Sequence, residues 1–240
     1  MLQSYRHQQS NCYIMLIKIK KLLLRNLFFI KPIRFFLYNY KNFKKLKIFD
    51  NLNLNSDSLF IDLGANEGIV SQYILDKYKC NIIAYEPHPA CSTILKQKFK
   101  NNKKIKLFFG AVSDSSGDKK LYFHRENLSS GDLDFSQASS LDPKKGNINK
   151  GSFVITKCYD IKEILNNLNI IDCLKIDIEG YEYKILPEII KNQKKIKKVF
   201  CELHGKPGTK KNEHLNSEYS NLISELKNQN LYGSWFIEHY

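Results

Sequence analysis

LFIDLGANEGIVS, residues 59–71, is the stretch that decides the fold. Apolar residues run into Asp62, two glycines follow at Gly64 and Gly68 with Asn66 between them, and the pattern then becomes helical. Glycine allows a tight turn and lets another group approach the backbone closely. The helix N-terminus behind the turn presents backbone N–H groups that have no partner inside the helix. The stretch therefore predicts a strand, a ligand-binding turn and a helix.

The acid at the start of this turn indicates the charge of the ligand. The spacing D-x-G-x-N-x-G differs from the G-x-G-x-x-G fingerprint of pyrophosphate-binding turns. A carboxylate suits a ligand with a cationic end, such as a sulfonium or an α-amino group. We predict that Asp62, Gly64, Asn66 and Gly68 bind a cofactor of that kind. The simpler alternative is a strand-to-helix turn in which the asparagine caps the helix.

Strands and helices alternate around this stretch and predict an α/β fold with a mostly parallel sheet and helices on both faces. Strands are expected at 58–63, 81–86 and 104–112, with helices at 66–78 and 90–99. The second half predicts a strand and a helix within 153–168, strands at 171–178, 197–203 and 234–240, and helices at 181–192 and about 215–229. One domain over residues 56–240 accommodates these elements, with residues 1–55 as a separate helical arm.

Residues 113–152 interrupt the alternation with many serines, glycines and charged residues. Residues 119–125 predict a short strand, and residues 126–151 have no period and predict a long loop. A loop of that length in a compact domain usually has a function. Because it leaves the sheet after the third strand, it can fold over the carboxyl edge. We predict a lid that is mobile without ligand and ordered by substrate.

The second strand ends in an acid that points to a nucleoside. Glu86 lies 24 residues after Asp62. An acid at this edge of a parallel sheet, beside the switch point, can accept hydrogen bonds from both hydroxyls of an adenosine ribose. Val112 and Ser113, at the end of the third strand, fall where an adenine would lie. Together these residues predict an adenosine-containing cofactor.

Three acids and a histidine reach the same edge from two later strands. CLKIDIEG delivers Asp177 and Glu179, and FCELHG delivers Glu202 and His204. His204 or Asp177 could act as a general base toward a hydroxyl group, or Asp177, Glu202 and their neighbours could hold a divalent cation. Helix capping by Glu179 and a solvated rim form the structural alternative. The pattern favours base catalysis without a metal, with Glu202 as a further catalytic residue.

Six motifs, in order along the chain, resemble those of one enzyme family. They are FIDLGANEGIVS, AYEPHP, GAVSD, SSL, LKIDIEGYE and CELH. The series resembles the FkbM-type methyltransferases over about residues 58–205. The resemblance implies the Rossmann-like class I methyltransferase fold, S-adenosyl-L-methionine as cofactor, and methylation of a hydroxyl group. A sugar hydroxyl of a glycan or glycolipid is the expected acceptor. Such folds usually close with an antiparallel hairpin, whereas only one strand fits after residue 230.

Charge is concentrated at the N-terminus and argues against nucleic acid as the partner. Residues 1–55 contain eleven Lys or Arg and one acid, and therefore hold +10 of the net +14. An RNA methyltransferase remains one alternative, but the basic excess lies far from the motifs. A non-catalytic, membrane-associated scaffold is a second alternative. Residues 13–36 form a basic, apolar segment whose lysines and arginine prevent a membrane span. It either packs on the domain or binds an anionic membrane surface.

The six cysteines indicate a reducing compartment. No C-x-x-C pair is present, and Cys80, Cys173 and Cys201 lie in or beside apolar runs. Buried thiols are therefore expected rather than disulfides or a zinc site. We predict a cytoplasmic protein with possible peripheral contact with the membrane.

Overall fold

The computed structural model describes residues 46–126, 138–208, 210–231 and 235–239. The chain divides into two compact units, Met1–Leu52 and Asn53–Tyr240. The described part of the first unit contains a short 3-10 turn, Lys47–Phe49. The predicted helix and membrane contact at 13–36 lie outside the described residues. No helix among the residues described is long and apolar enough to cross a membrane.

The second unit begins with the predicted alternation. Its first elements are β1 (Leu59–Leu63), α1 (Ile69–Tyr78), β2 (Asn81–Tyr85), α2 (Pro89–Lys98), β3 (Ile105–Phe108), β4 (Ala111–Ser113), β5 (Gly117–His124) and β6 (Ile148–Asp160). The remaining elements are α3 (Ile161–Asn166), β7 (Cys173–Ile176), α4 (Glu182–Lys191), β8 (Val199–Leu203), α5 (Asn216–Asn228) and β9 (Phe236–His239), with 3-10 turns at Gln193–Lys195 and Lys210–Leu215.

Six strands form a sheet in the order β3-β2-β1-β7-β8-β9, and all neighbours are parallel. The chain runs outward from β1 through β2 to β3, and later strands fill the other side of β1. The switch point therefore lies between β1 and β7, where open parallel sheets bind their ligands at the carboxyl edge. The turn after β1 and the acids after β7 meet at that point.

Helices cover both faces of the sheet, as predicted. On one face, Asp62 of β1 accepts a hydrogen bond from Ser71 of α1. Successive strand residues point to opposite faces, and Ile61 and Leu63 accordingly lie in the core that contains residues of α3, α4 and α5. The predicted α/β fold with a mostly parallel sheet is confirmed.

The predicted third strand, 104–112, is wrong as a single element. It divides into β3 of the main sheet and β4 of a second sheet with the order β4-β6-β5. The chain changes sheets at Gly110, whose N–H donates to the carbonyl of Glu86. A Cβ on this glycine would lie 2.4 Å from the carbonyl oxygen of Lys157. This close backbone approach requires a partner from β6 and cannot be inferred from local periodicity.

The predicted long loop, 126–151, is wrong for its last four residues, and residues 138–147 are packed against the domain. Residues 148–151 belong to β6, which pairs antiparallel with β5. Ser140 and Lys145 are buried, and Ser140 exchanges two backbone hydrogen bonds with Tyr122 of β5. Residues 127–137 lie outside the described part, so predicted mobility there stays a prediction.

The last strand lies beside β8 and runs parallel to it. In the class I methyltransferase fold, an antiparallel hairpin usually forms this edge of the sheet. In the part of the chain described here, a single parallel strand lies on this side of β8. The five described cysteines are buried thiols, as expected, and they are Cys80, Cys91, Cys158, Cys173 and Cys201.

Candidate active site

The glycine turn after β1 contains three residues in the left-handed conformation. Gly64, Asn66 and Gly68 have φ values of +81°, +49° and +73°. The backbone N–H groups of Gly64 and Ala65 both donate to the carbonyl of Tyr85, at 3.0 Å each. The turn is therefore fastened to the end of β2 before α1 begins.

Protein atoms occupy the space that each glycine leaves open. A Cβ on Gly64 would lie 1.9 Å from the carbonyl oxygen of Asp177, and a Cβ on Gly68 would lie 2.6 Å from Leu95. The predicted reason for these glycines, close approach of a ligand, is therefore incomplete. They let the turn pack against the end of β7 and against α2, and any contact with a ligand would use their backbone.

Replacing Gly64 by alanine should lower the free energy of unfolding by about 1–3 kcal/mol, because the turn must shift away from Asp177 and the positive φ becomes strained. Urea unfolding measures this change. Gly151→Ala is the matched control, since its Cβ would meet nothing closer than 3.4 Å. Equal stability of the two variants would contradict the packing role of Gly64.

Asp62 has a partner inside the protein. Its side chain has no exposed surface; Oδ2 accepts from Ser71 Oγ at 2.7 Å, and Oδ1 lies 3.0 Å from Lys175 Nζ. Lys175 also donates to the carbonyl of Gly64 at 2.7 Å. Within the described residues the cationic partner of Asp62 is Lys175, which lies beside it in β7, and the contact of Asp62 with a cationic ligand stays a prediction.

Glu86 joins the glycine turn to the turn after β2. Its Oε2 accepts from the backbone N–H of Asn66 and its Oε1 from that of His88, both at 2.7 Å. Burial raises the pKa of Glu86 to about 7, although these two hydrogen bonds act in the opposite direction. Each carboxylate oxygen can accept a further hydrogen bond. The carboxyl group is therefore suited to a ligand that offers hydroxyl donors.

Val112 and Ser113 lie in β4, and both side chains are buried. Val112 belongs to the main core, and Ser113 Oγ donates to the carbonyl of Ser115 at 2.6 Å. The predicted adenine contact is therefore not available to these side chains as they stand, and only their backbone could make it.

Asp177 follows β7 directly and lies close to charged groups of both signs. Its Oδ2 is 3.8 Å from Lys175 Nζ, and 26% of its side chain is exposed. Burial and the charges of Glu202 and Glu179 raise the pKa of Asp177, against the lowering effect of Lys175. An accessible carboxyl group with a raised pKa is suited to accept a proton near neutral pH.

Glu179 is held in a conformation that is unusual for its residue type. Its φ is +57°, and its carbonyl accepts from Ser140 Oγ at 2.8 Å. Its Oε2 contacts Lys145 Nζ and lies 3.4 Å from His204 Nε2. Burial would raise the pKa of Glu179, but Lys145 and His204 lower it by more. Glu179 therefore stays ionised where Asp177 can take up a proton.

His204, predicted as a candidate base, lies between two carboxylates. Its Nδ1 lies 3.1 Å from the buried carboxylate of Glu182, and its Nε2 faces Glu179. Burial would lower the pKa of His204, but Glu182 and then Glu179 raise it to about 11. An imidazolium ion has no lone pair with which to accept a proton. Of the two predicted bases, Asp177 is therefore the one whose surroundings suit a base near neutral pH.

The helix capping by Glu179 that the sequence offered as an alternative is wrong, because the N-cap of α4 is Tyr181 and no side chain caps it. Glu182, the first residue of α4, fastens the preceding loop. The Glu182 carboxylate accepts from the backbone N–H groups of Ile178 and Gly180 at 3.0–3.2 Å. The acid and the first turn of α4 therefore fix the loop that carries Glu179.

The candidate metal ligands differ from those expected. Within the described residues, Asp177, Glu179 and His204 each offer a ligand atom, all within 4.8 Å of one another. That spacing is compatible with one divalent cation. Glu202, predicted as a ligand and as a catalytic residue, lies in β8 and contributes to the site by its charge, which raises the pKa of Asp177.

Sequence reasoning missed two lysines in this site. Lys175 stands in the middle of a buried strand, and a charged residue at such a position indicates a buried partner. That signal was present. Lys145 lies in a polar, lysine-containing segment, where nothing distinguishes it from the exposed Lys144 beside it.

Comparison with known proteins agrees with this architecture. Residues 62–231 match the family described as the methyltransferase FkbM domain. The methyltransferase sdnD of Sordaria araneosa is 27% identical over 165 residues, which cover 58% of this chain and 62% of the relative. This chain therefore spans less than two thirds of that relative's length.

A solved structure, that of protein PH0793 from Pyrococcus horikoshii, is 22% identical over 28% of this chain and 27% of its own, with a TM-score of 0.26. The fold assignment rests on the strand order described above. Because the family match spans the glycine turn, the second-strand acid, the edge acids and the helix before β9, this chain belongs to the FkbM methyltransferase family.

Proposed function

We propose that this enzyme transfers the methyl group of S-adenosyl-L-methionine to a hydroxyl group, with a sugar of a glycan or glycolipid as the acceptor. The observation that carries the proposal is the pair Asp177 and Glu179, whose environments shift their pKa values in opposite directions. Such divergence separates a proton acceptor from a permanently charged group. Attack by a hydroxyl requires removal of its proton, whereas a thioether acceptor would require no base.

Asp177 supplies the base. When bound, S-adenosyl-L-methionine offers a methyl group made electrophilic by the sulfonium charge. Asp177 accepts the proton of the acceptor hydroxyl as the new carbon–oxygen bond forms and the carbon–sulfur bond breaks. Lys175, 3.8 Å away, limits the rise in the pKa of Asp177, so that the carboxyl group is ionised in part at neutral pH.

Glu179 orients the hydroxyl without competing for the proton. Its contacts with Lys145 and His204 both use Oε2, which leaves Oε1 for a hydrogen bond from the acceptor. Much of the rate enhancement then comes from alignment of the hydroxyl with the methyl group. A polyhydroxylated acceptor is favoured because several carboxylates at this edge accept hydrogen bonds.

Glu86 is the residue whose surroundings fit the cofactor. It is buried beside the glycine turn, its pKa is raised, and each of its oxygens has one backbone donor. The buried carboxylate of Glu86 can accept more hydrogen bonds than its two backbone donors provide. The two hydroxyls of a ribose would donate these further hydrogen bonds. Asp62 fits the cationic end of the cofactor less well than Glu86 fits the ribose, because Lys175 already neutralises the charge of Asp62.

A labelled-methyl assay tests the acceptor class. The purified protein is incubated with methyl-labelled S-adenosyl-L-methionine and separate pools of neutral glycosides, extracted glycolipids, RNA and primary amines. We expect base-stable label in the glycoside or glycolipid pool alone. Label confined to RNA or amines would overturn the proposal. Calorimetric titration of the cofactor, run in parallel, distinguishes an enzyme from a scaffold that binds no cofactor.

Cofactor affinity should depend on pH through Glu86. Ribose hydroxyls donate to the ionised carboxylate, so binding favours the deprotonated form. With a pKa of about 7 in the free protein, affinity should fall about tenfold between pH 8 and pH 6. Calorimetry at several pH values measures this change. Glu86→Gln should abolish most of the pH dependence, and an unchanged profile in that variant would exclude Glu86 from the cofactor site.

A further inference from the structure

Residues 138–147, here named the strap, lie against the carboxyl edge of the sheet. Ser140 anchors the strap to β5 by its backbone and to the carbonyl of Glu179 by its hydroxyl group. Asp142 anchors it a second time, because its Oδ2 lies 2.5 Å from Nε2 of His214 in the 3-10 turn after β8. The strap is therefore held on both sides of the candidate active site.

Lys145 extends from the strap into the site. Its side chain is 1% exposed, and its Nζ donates to the carbonyl of Ala138 at 3.0 Å and contacts the Glu179 carboxylate. Burying a lysine costs side-chain entropy and solvation unless a charged partner compensates. Lys144, the preceding residue, is exposed and makes only a backbone hydrogen bond to Asp142 among its described contacts. Of these two adjacent lysines, Lys145 is therefore buried and Lys144 is not.

The ammonium group of Lys145 contacts one carboxylate of the cluster that could hold a metal ion. In an octahedral site with bonds of about 2.1 Å, neighbouring ligand atoms lie roughly 3 Å apart. The separation of 3.4 Å between Glu179 Oε2 and His204 Nε2 approaches that value. Lys145 Nζ contacts the same Oε2, so a cation already lies against one candidate ligand of the cluster.

We propose that Lys145 is the resident cation of this methyltransferase site, in place of a divalent metal ion. It is a positioning residue: its Nζ holds Oε2 of Glu179, while the positive-φ backbone of Glu179 is secured by Ser140. With Lys145 seated, Asp177, Glu179 and His204 bind divalent cations weakly. Removal of the ammonium group uncovers a metal site at Asp177 and Glu179, and His204 joins it when the entering metal ion displaces the proton of its imidazole.

Manganese binding tests this proposal without any methyl acceptor. The probe is Mn²⁺ alone, titrated into the full chain and followed by electron paramagnetic resonance. Lys145→Ala should bind Mn²⁺ at least tenfold more tightly than the parent protein. Lys144→Ala is the matched control and should match the parent. Lys145→Arg keeps the positive charge and should also match the parent.

The increase in Mn²⁺ affinity of Lys145→Ala should depend on the predicted ligands. Adding Asp177→Asn to Lys145→Ala should abolish this increase. Lys145→Gln, which retains more of the side-chain volume, repeats the measurement if the alanine variant unfolds. A residue that only fills space would leave Mn²⁺ affinity unchanged, so equal binding by Lys145→Ala, Lys145→Gln and the parent overturns the proposal. Tight Mn²⁺ binding by the parent also overturns it, since the cluster would then be a metal centre.

Activity provides a second test, and this one alone rests on the proposed function. Methyl transfer by the parent should survive exhaustive treatment with EDTA. Lys145→Ala should lose at least tenfold in kcat with nearly unchanged cofactor affinity, and added Mn²⁺ should restore part of the loss. Loss of parental activity in EDTA, with recovery on adding metal, would contradict the resident-cation role. Failure to find an acceptor would affect only the proposed function, because the manganese titration is independent of it.

Discussion

Replacing Asp177 by asparagine should lower kcat by about 10²–10⁴-fold and leave the affinity for S-adenosyl-L-methionine nearly unchanged. Asparagine keeps the shape of the side chain and can still accept a hydrogen bond, but it cannot take up a proton. Steady-state kinetics with the acceptor found in the labelled-methyl assay measures kcat, and calorimetry measures cofactor affinity.

The pH profile of the parent enzyme should report the same group. The pKa of Asp177 is raised above that of an ordinary carboxyl group. The base must be deprotonated to act, so kcat should rise with pH through this raised pKa. The residual activity of Asp177→Asn should not show this rise of kcat with pH, because no titrating base remains at position 177.

Asp172→Asn is the matched control for this substitution. Asp172 precedes β7, at the end of the strand opposite Asp177, where it accepts from the backbone of Leu59 at 2.8 Å and pairs with Lys197 at 2.7 Å. The same chemical change at that end should leave kcat nearly unchanged. If Asp177→Asn were as active as Asp172→Asn, Asp177 would not be the base, and the proposed mechanism would fail.

Replacing Lys175 by methionine should lower the free energy of unfolding by about 3–5 kcal/mol, the range for removing one partner of a buried ion pair. Methionine retains much of the side-chain volume but leaves the fully buried carboxylate of Asp62 without its cation. Urea unfolding at neutral pH measures the loss. Asp62 and Asp177 raise the pKa of Lys175 against the effect of burial, so its stabilisation is complete at neutral pH and is lost only as the pH rises through that raised value.

Lys197→Met provides the comparison at the surface. The side chain of Lys197 is 65% exposed and pairs with Asp172, so its replacement should cost less than about 1 kcal/mol. Combining Lys175→Met with Asp62→Asn should recover much of the stability, because the carboxylate is then neutral and can still accept from Ser71. A Lys175→Met protein as stable as Lys197→Met would show that water or another cation solvates Asp62.

Local sequence patterns were sufficient for most strands and helices. β1, α1, β2 and α2 lie within a few residues of their predicted positions, because apolar periodicity and the glycine turn are properties of neighbouring residues. The predicted strand at 104–112 failed at Gly110, where the chain leaves one sheet for another. The position of that change depends on β6, which lies about 40 residues later in the chain.

The candidate site was predicted only in outline. Strand ends and their acids were identifiable, since parallel strands bring their carboxyl edges together. The roles of those acids were not. His204 resembled a base in the sequence, but in the folded chain Glu182 and Glu179 both lie beside it and raise its pKa.

The sequence by itself determined the α/β fold, the resemblance to its family and the set of acids at the sheet edge, because motifs and periodicity are local. Only the tertiary structure decided which charges meet. Asp62 and Lys175 are separated by more than 100 residues and lie side by side in β1 and β7, while Lys145 reaches Glu179 from the strap. Protonation depends on such neighbours and on burial, and both are properties of the packed chain rather than of any single segment.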